Sequence, residues 1–171
     1  MAEAPRSKTR KLTLMAVLTA MALGIFMLEA QLPSLVAIPG VKLGLANIIT
    51  LTAMLILSRK EAGAILLMRI LMSGMCAGSP STLIFSAVGG VFAYLCMCVL
   101  TAIIPEKRLW VTSAIAAVAH NAGQLLASIW VVKTPGLLVY APILAVSGVI
   151  TGVFTGLAAM YLIRALRKLQ R

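Results

Sequence analysis

The sequence predicts an all-α integral membrane protein built as a bundle of six transmembrane helices. Hydrophobic residues make up 61% of its 171 residues and charged residues only 11%, and the mean hydropathy is +1.06. A chain of this length holds about six apolar runs of roughly 20 residues, the length that crosses a bilayer. This composition excludes an ordinary soluble domain.

Apolar runs, and the breakers between them, place the six helices in order. They cover residues 12–30, 43–58, 61–77, 81–104, 110–132 and 137–165. The second run is the shortest, about 24 Å long at 1.5 Å per residue, whereas the fourth and sixth are long enough to tilt. We therefore expect a six-helix membrane domain at residues 12–165 between basic cytoplasmic tails at 1–11 and 166–171.

Lysine and arginine are distributed unevenly between the two sides of this topology. Six spans put both termini on one side, and only Lys42 and Lys133 fall on the other, while Arg69 lies inside the third run. The remaining twelve basic residues share the side of the termini: Arg6, Lys8, Arg10, Lys11, Arg59, Lys60, Lys107, Arg108, Arg164, Arg167, Lys168 and Arg171. Because cytoplasmic loops carry the excess of Lys and Arg, we predict a multi-pass plasma-membrane protein with both termini in the cytoplasm.

Several classes of function are excluded by residue types that the chain lacks. It has no aspartate, and its glutamates are scattered at Glu3, Glu29, Glu61 and Glu106, so it lacks the carboxylate cluster that would hold Mg²⁺ for diphosphate chemistry. It has no Gly-x-x-x-x-Gly-Lys-[Ser/Thr] run for ATP. The three cysteines lack zinc-site spacing, and the basic clusters at helix ends form no nucleic-acid-binding stripe. We expect no enzyme activity, cofactor, metal or nucleic-acid partner.

Polar side chains recur at matched depth inside three of the predicted helices. Arg69 is about 12 Å into the third helix and His120 about 15 Å into the fifth, both counted from the cytoplasmic side. A charged residue at that depth is a functional-site hypothesis by default. The other members are Ser73, one turn beyond Arg69, Asn121 and Gln124 in one stripe with His120, and Asn47 with Thr50 on the second helix.

Two interpretations of this polar group stay open. Its members either line a cavity that opens to the outside, or they form a hydrogen-bond network that holds the helices together. In the first case Lys42 and Lys133 add positive charge above Arg69, with only Glu29 opposing them on that side, so the site would favour an anionic or carbonyl-rich ligand. In the second case Arg69 could form a structural ion pair with Glu29.

Small residues recur at four-residue spacing on the first and sixth helices. Ala16, Ala20 and Gly24 form such a ridge on the first, and Gly148 and Gly152, continuing to Gly156, form one on the sixth. Ridges of this kind allow close contact between helices. They serve either packing within the bundle or, on an outward face, docking of a partner membrane subunit.

Three segments of the chain resemble a known membrane family. Arg69-Ile70-Leu71 and Phe85-Ser86-Ala87-Val88-Gly89-Gly90 are two of them. The most specific is Pro39-Gly40-Val41-Lys42-Leu43-Gly44-Leu45-Ala46-Asn47-Ile48-Ile49. Over nearly its whole length the chain resembles the Gx transporter family, which is also labelled heptaprenyl diphosphate synthase component I. That family in turn resembles the substrate-binding S components of energy-coupling factor vitamin transporters.

The resemblance implies a fold, a site and partners. S components are six-helix proteins with an outward-facing site under the loop between their first two helices, and an Ala-x-x-x-Ala motif on the first helix, matched here by Ala16 and Ala20, docks the transmembrane coupling subunit. The substrate-binding candidates are then Lys42, Asn47, Arg69, Ser73, His120, Asn121 and Gln124.

The predicted function is binding of a small vitamin- or quinone-precursor-like molecule for uptake driven by partner ATPases. The alternatives are a non-catalytic membrane subunit in isoprenoid or quinone metabolism or extracellular electron transfer, and a structural anchor.

Overall fold

The computed structural model describes residues 8–31, 43–77 and 80–169. Within these ranges the chain forms six α-helices and two short 3-10 helices, with no strand. The α-helices are α1 (Lys8–Glu29), α2 (Asn47–Ile56), α3 (Arg59–Ala77), α4 (Pro80–Ile103), α5 (Leu109–Val132) and α6 (Ala141–Leu169). The 3-10 helices, Glu106–Arg108 and Pro135–Tyr140, precede α5 and α6. The prediction of six helices is confirmed.

The predicted helix ends hold within two residues for α3, α4 and α5, whereas α1 begins and α6 ends four residues beyond the prediction. The largest difference in length is at α2, which is shorter at both ends. This helix has 10 residues and begins at Asn47, four residues later than predicted, because Gly44 has a positive φ of 78° that a helix cannot contain. At 1.5 Å per residue α2 is about 15 Å long, half the thickness of a bilayer core. The sixth helix also starts later than predicted, since Pro135–Tyr140 forms a 3-10 helix.

Four of the six helices are long and apolar enough to cross a membrane: α1, α4, α5 and α6. The short helix α2 is apolar but lacks the length. The third helix has 19 residues but contains Arg59, Lys60, Glu61 and Arg69. By length and hydropathy the prediction of six apolar spans therefore holds for four helices, whereas α2 is too short and α3 carries four charged residues.

The short helix α2 lies in the middle of the bundle. It packs against α1, α3, α4 and α6, and eight of its residues are buried. Ile49, Leu51 and Ala53 of α2 belong to one apolar core together with Leu18 of α1 and Met97 of α4. The backbone N–H and C=O groups of this central segment are hydrogen-bonded within the helix. The first turn of α2, which contains Asn47, lies in the interior of the protein.

The small residues of α6 lie directly against α5. A Cβ at Gly152 or Gly156 would collide with the backbone of α5 at Ala114 or Trp110. Next to these glycines the hydroxyls of Ser113 and Thr155 lie 2.8 Å apart in a hydrogen bond. The small-residue ridge of α6 therefore serves packing within the bundle.

Candidate functional site

Most of the predicted polar residues are buried where α2, α3, α4 and α5 meet. Arg69, Asn47, His120 and Gln124 are all at most 4% exposed. Nη2 of Arg69 and Cε1 of His120 lie beside two adjacent glycines of α4, Gly90 and Gly89. A Cβ at Gly44, just before α2, would lie about 3 Å from both His120 and Asn47. We call this group, Arg69, Asn47, His120 and Gln124 with Gly44, the polar junction.

Two adjacent glycines of α4 let the side chains of α3 and α5 reach the junction. A Cβ at Gly90 would lie 3.4 Å from Nη2 of Arg69, and a Cβ at Gly89 would lie 2.7 Å from Cγ of Gln124 and 3.0 Å from Cε1 of His120. Side chains at these positions would occupy the space that the guanidinium and the imidazole now use. The Gly89-Gly90 pair thus forms one wall of the junction.

Glu29 joins the end of α1 to the start of α2. Its Oε1 accepts a hydrogen bond from the backbone N–H of Gly44 at 2.6 Å, and its Oε2 accepts one from Leu45 N–H at 3.1 Å. The carboxylate is buried, 5% exposed, and its charge also attracts Arg69. A carboxylate at this place is favourable, because it accepts two backbone N–H groups of the turn that precedes α2 and its charge strengthens both hydrogen bonds.

Gly44 requires glycine for two independent reasons. Its φ of 78° lies in the left-handed region that other residues rarely adopt. A Cβ there would also come within 2.9 Å of Cδ2 of His120 and 3.0 Å of Nδ2 of Asn47. Glu29, Gly44 and His120 therefore constrain one another at the entrance to α2.

Several buried polar atoms at the junction lack a hydrogen-bond partner among the residues that the structure describes. They are Nε and Nη2 of Arg69, Nδ2 of Asn47 and Nδ1 of His120. A buried polar atom left without a partner costs about 1–3 kcal/mol, and more when it is charged. Three of these four atoms are donors. A ligand rich in carboxylate or carbonyl oxygens is the chemical complement of this set.

The predicted stripe on α5 divides between two neighbours. His120 and Gln124 face Gly89 of α4, whereas Nδ2 of Asn121 donates to the backbone oxygen of Leu144 on α6 at 2.8 Å. Oδ1 of Asn121 has no partner within the described ranges. Asn121 thus links α5 to α6 through its Nδ2 atom, whereas its Oδ1 atom accepts no hydrogen bond from the described residues.

Three further residues, predicted near the ligand, lie in different surroundings. Ser73 is buried, and its hydroxyl donates to the carbonyl of Ile70 in its own helix at 2.9 Å. Lys42 lies outside the described residues, as does most of the connection predicted to cover the site. Lys133 is exposed and ends α5 in a left-handed conformation, φ 55°.

Ala16 and Ala20 lie away from the junction, in an open groove between α1 and α3. The groove has a volume of about 650 Å³ and almost entirely apolar walls. A Cβ at Gly24, the next residue of the same ridge, would meet nothing within 4 Å. We call it the α1–α3 groove. Among the residues that the structure describes, nothing packs on the ridge of α1, in contrast to that of α6.

Sequence reasoning missed Glu29, Gly44 and the Gly89-Gly90 pair as parts of the site. The sequence suggests Glu29 only as a charge opposing Lys42 and Lys133 and as an ion-pair partner of Arg69. Its position in the sequence could have indicated a role in the site, since it is the one carboxylate predicted away from the cytoplasmic side. The signal for the glycines was a Gly-Gly pair within an apolar helix, where glycine is unfavourable without a packing reason.

Comparison with known proteins identifies a family. A family model described as heptaprenyl diphosphate synthase component I matches residues 18–162. The matched segment runs from within α1 to within α6 and contains the whole polar junction and Ala20, whereas Ala16 precedes it. No curated protein and no solved structure matches the chain.

Proposed function

Because the chain belongs to the heptaprenyl diphosphate synthase component I family, we propose that it is the substrate-binding membrane component of an ATP-driven uptake system of the energy-coupling factor type. Its ligand is a small anionic or aromatic molecule, similar to a vitamin or a quinone precursor, taken from the outside. The observation that carries this proposal is the buried guanidinium of Arg69, whose Nε and Nη2 lack partners among the described residues. It is proposed to bind the ligand with two parallel hydrogen bonds.

In this proposal the bundle is embedded in a membrane with both termini in the cytoplasm. Four helices have the length and hydropathy of a span, and large apolar side chains such as Met75, Trp130 and Tyr161 are at least 70% exposed. A surface of this kind is unfavourable in water and suits lipid. The unequal distribution of Lys and Arg supports the orientation.

The hydrogen-bond donors at the junction support a ligand that is rich in hydrogen-bond acceptors. Arg69 and Asn47 offer donors there, and the only carboxylate that the structure places beside them, Glu29, already accepts two backbone N–H groups. Lys42 and Lys133 would add positive charge on the outer side. A carboxylate, an imide or a ring carrying carbonyl groups has the complementary pattern.

In this proposal, partner proteins supply the energy for uptake and release the ligand into the cytoplasm. These partners are a transmembrane coupling subunit and ATPases. Ala16 and Ala20 are the proposed docking residues, since they line an apolar groove that other helices leave open. Replacing Ala20 with Trp should abolish association with the coupling subunit while ligand binding at Arg69 persists. Loss of both would instead indicate that Ala20 serves folding.

The direct test is ligand binding to the purified protein in nanodiscs. A pool of vitamins, flavins and quinone precursors is incubated with the protein, and native mass spectrometry identifies what is retained. Arg69→Ala should weaken binding of the retained molecule about 100-fold, since two charge-assisted hydrogen bonds are lost. The matched control is Arg164→Ala, because Arg164 is an exposed arginine that stacks over Tyr161 on α6.

Arg69→Lys distinguishes recognition by geometry from recognition by charge. Lysine keeps the charge but lacks the planar pair of donors, so its binding should fall between that of wild type and Arg69→Ala. Retention of no molecule from the pool, or equal binding by Arg69→Ala and wild type in a folded protein, would contradict the proposal.

The family description favours a second candidate, a non-catalytic membrane subunit that assists isoprenoid or quinone synthesis. This candidate predicts stable co-purification with an enzyme and altered quinones or electron transfer in cells that lack the chain, with normal uptake. Uptake is the discriminating readout, because the first candidate predicts its loss. In neither case does this chain perform the chemistry itself.

A further inference from the structure

The buried part of the protein contains two opposite charges. Among the buried side chains that the structure describes, Arg69 and Glu29 alone carry a formal charge, at 3% and 5% exposure. His120 is buried as well, and a histidine is mostly neutral at pH 7. The described residues at and around the polar junction therefore have no net charge before a ligand enters.

Contacts connect the two charges across the junction. The two oxygens of Glu29 accept the backbone N–H groups of Gly44 and Leu45, which is the arrangement of an ionised carboxylate. A Cβ at Gly44 would lie 2.9 Å from Cδ2 of His120, and the negative charge of Glu29 attracts Arg69. The carboxylate and the guanidinium thus belong to one buried site, in which each compensates the charge of the other.

A compensated pair of charges selects against a ligand that brings a charge of its own. Charges interact strongly where water is excluded, so a carboxylate bound to Arg69 would be repelled by Glu29. It would also leave one buried negative charge without compensation, which is costly in an apolar bundle. An uncharged ligand has neither disadvantage.

An uncharged ligand can still use the free hydrogen-bond donors of the junction. Among the described residues, Nε and Nη2 of Arg69 and Nδ2 of Asn47 are donors without a partner. Carbonyl oxygens accept such hydrogen bonds without carrying a formal charge. An imide or a dione offers two carbonyl oxygens on one planar ring, so its acceptors match these donors.

Building on the uptake function proposed above, we propose that Glu29 determines the charge of the ligand, so that the site binds an uncharged, carbonyl-rich ring and rejects its carboxylated analogue. Arg69 and Asn47 donate to the carbonyl oxygens, and Glu29 compensates the guanidinium without occupying these donors. Of the anionic and aromatic ligands considered above, this role of Glu29 selects the uncharged aromatic class. The imide of uracil is the model.

The test compares matched pairs of probes on the purified full-length chain in nanodiscs. Uracil and phthalimide are the uncharged members, and orotate and 4-carboxyphthalimide add a carboxylate to the same rings. Dissociation constants are measured by ligand-observed NMR. The wild type should bind the uncharged member of each pair at least about tenfold more tightly. Tighter binding of the anionic member, or binding of neither, would overturn the proposed role of Glu29.

Glu29→Gln should reverse this preference. Without the compensating charge Arg69 favours an anion, so the ratio of the two dissociation constants should shift about tenfold or more toward the carboxylated probe. Partial unfolding of the variant lowers both apparent affinities equally and leaves the ratio unchanged. The matched control is Glu106→Gln, because Glu106 is an exposed carboxylate paired with Arg167, and it should keep the wild-type ratio. An unchanged ratio in Glu29→Gln would also overturn the proposed role.

Two further variants keep the test decisive without a substitution of Glu29. Arg69→Gln leaves Glu29 uncompensated, so it should shift the ratio further toward the uncharged probe, and a shift toward the anion would contradict the proposed role. A preference that depends on Lys42→Gln instead would assign the charge balance to Lys42.

Failure of this role and failure of the uptake function give different results. If the pool yields an anionic molecule that Arg69→Ala loses, the uptake function stands and the role of Glu29 is wrong. If the pool yields no molecule, the uptake function itself is wrong.

Discussion

Two faces of α3 serve different regions of the molecule. Arg69 points inward to the polar junction, where it is 3% exposed, whereas Met68, one residue earlier, is 52% exposed in the α1–α3 groove. The junction is buried and polar, and the groove is open and apolar. A helix with four charged residues can thus lie in an apolar bundle when Arg69, the charged residue in its middle, is directed at neighbouring helices.

The difference between the two regions is tested by adding the same side chain to a glycine in each of them. Gly89→Leu places atoms where Gln124 and His120 already lie, so it should lower the free energy of unfolding by about 3 kcal/mol. Gly24→Leu enters open space and should change it by less than about 0.5 kcal/mol. Thermal and denaturant unfolding in the same detergent measure both. Similar losses for the two variants would show that Gly24 is as crowded by its neighbours as Gly89.

Glu29→Gln tests whether the carboxylate holds the entrance of α2. The amide keeps the shape but loses the charge and one acceptor oxygen, so the hydrogen bonds to Gly44 and Leu45 cannot both persist. We expect a loss of about 2 kcal/mol in the free energy of unfolding. Hydrogen exchange of the N–H groups of residues 44 and 45 should rise at the same time. Unchanged protection there would remove Glu29 from the junction.

Asn121→Leu separates packing from ligand binding within the stripe on α5. The hydrogen bond to Leu144 is lost and its carbonyl is left without this donor, which should cost about 1–2 kcal/mol of stability. Affinity for the ligand identified with wild type should stay within about twofold, because Asn121 faces α6. A large loss of affinity at unchanged stability would instead place Asn121 in the ligand site.

The smallest effect is expected at the protein surface, for the ion pair between Arg167 and Glu106. Their side chains are 47% and 45% exposed, and exposed pairs contribute about 0.2–1 kcal/mol. Glu106→Gln should therefore lower the free energy of unfolding by less than about 1 kcal/mol, and less at high salt. A loss as large as that of Glu29→Gln would mean that the buried and the exposed carboxylate contribute equally to stability.

The order of helices and the burial of the polar residues could be predicted from the sequence. Apolar runs and their breakers set the helices, because backbone polar groups removed from water are satisfied within such runs. Arg69, His120 and Gln124 were expected inside because each interrupts an apolar run at similar depth. Their contacts with Gly89 and Gly90 could not be predicted, since helical periodicity shows which residues share a face but not which helix lies opposite.

The small-residue ridges show the same limit. Ala16, Ala20 and Gly24 have the same spacing as Gly148, Gly152 and Gly156, and either ridge could have been packed. Only the tertiary structure places the second against α5 and leaves the first open.

The sequence by itself determined the helical class, the six segments, their apolar character and the polar residues inside them, because composition and local periodicity act within one segment. The tertiary structure decided that Glu29 closes onto Gly44, that Asn121 turns to α6, and that α2 is a short central helix. These features depend on long-range packing, in which a side chain finds its partner among residues far away in the chain.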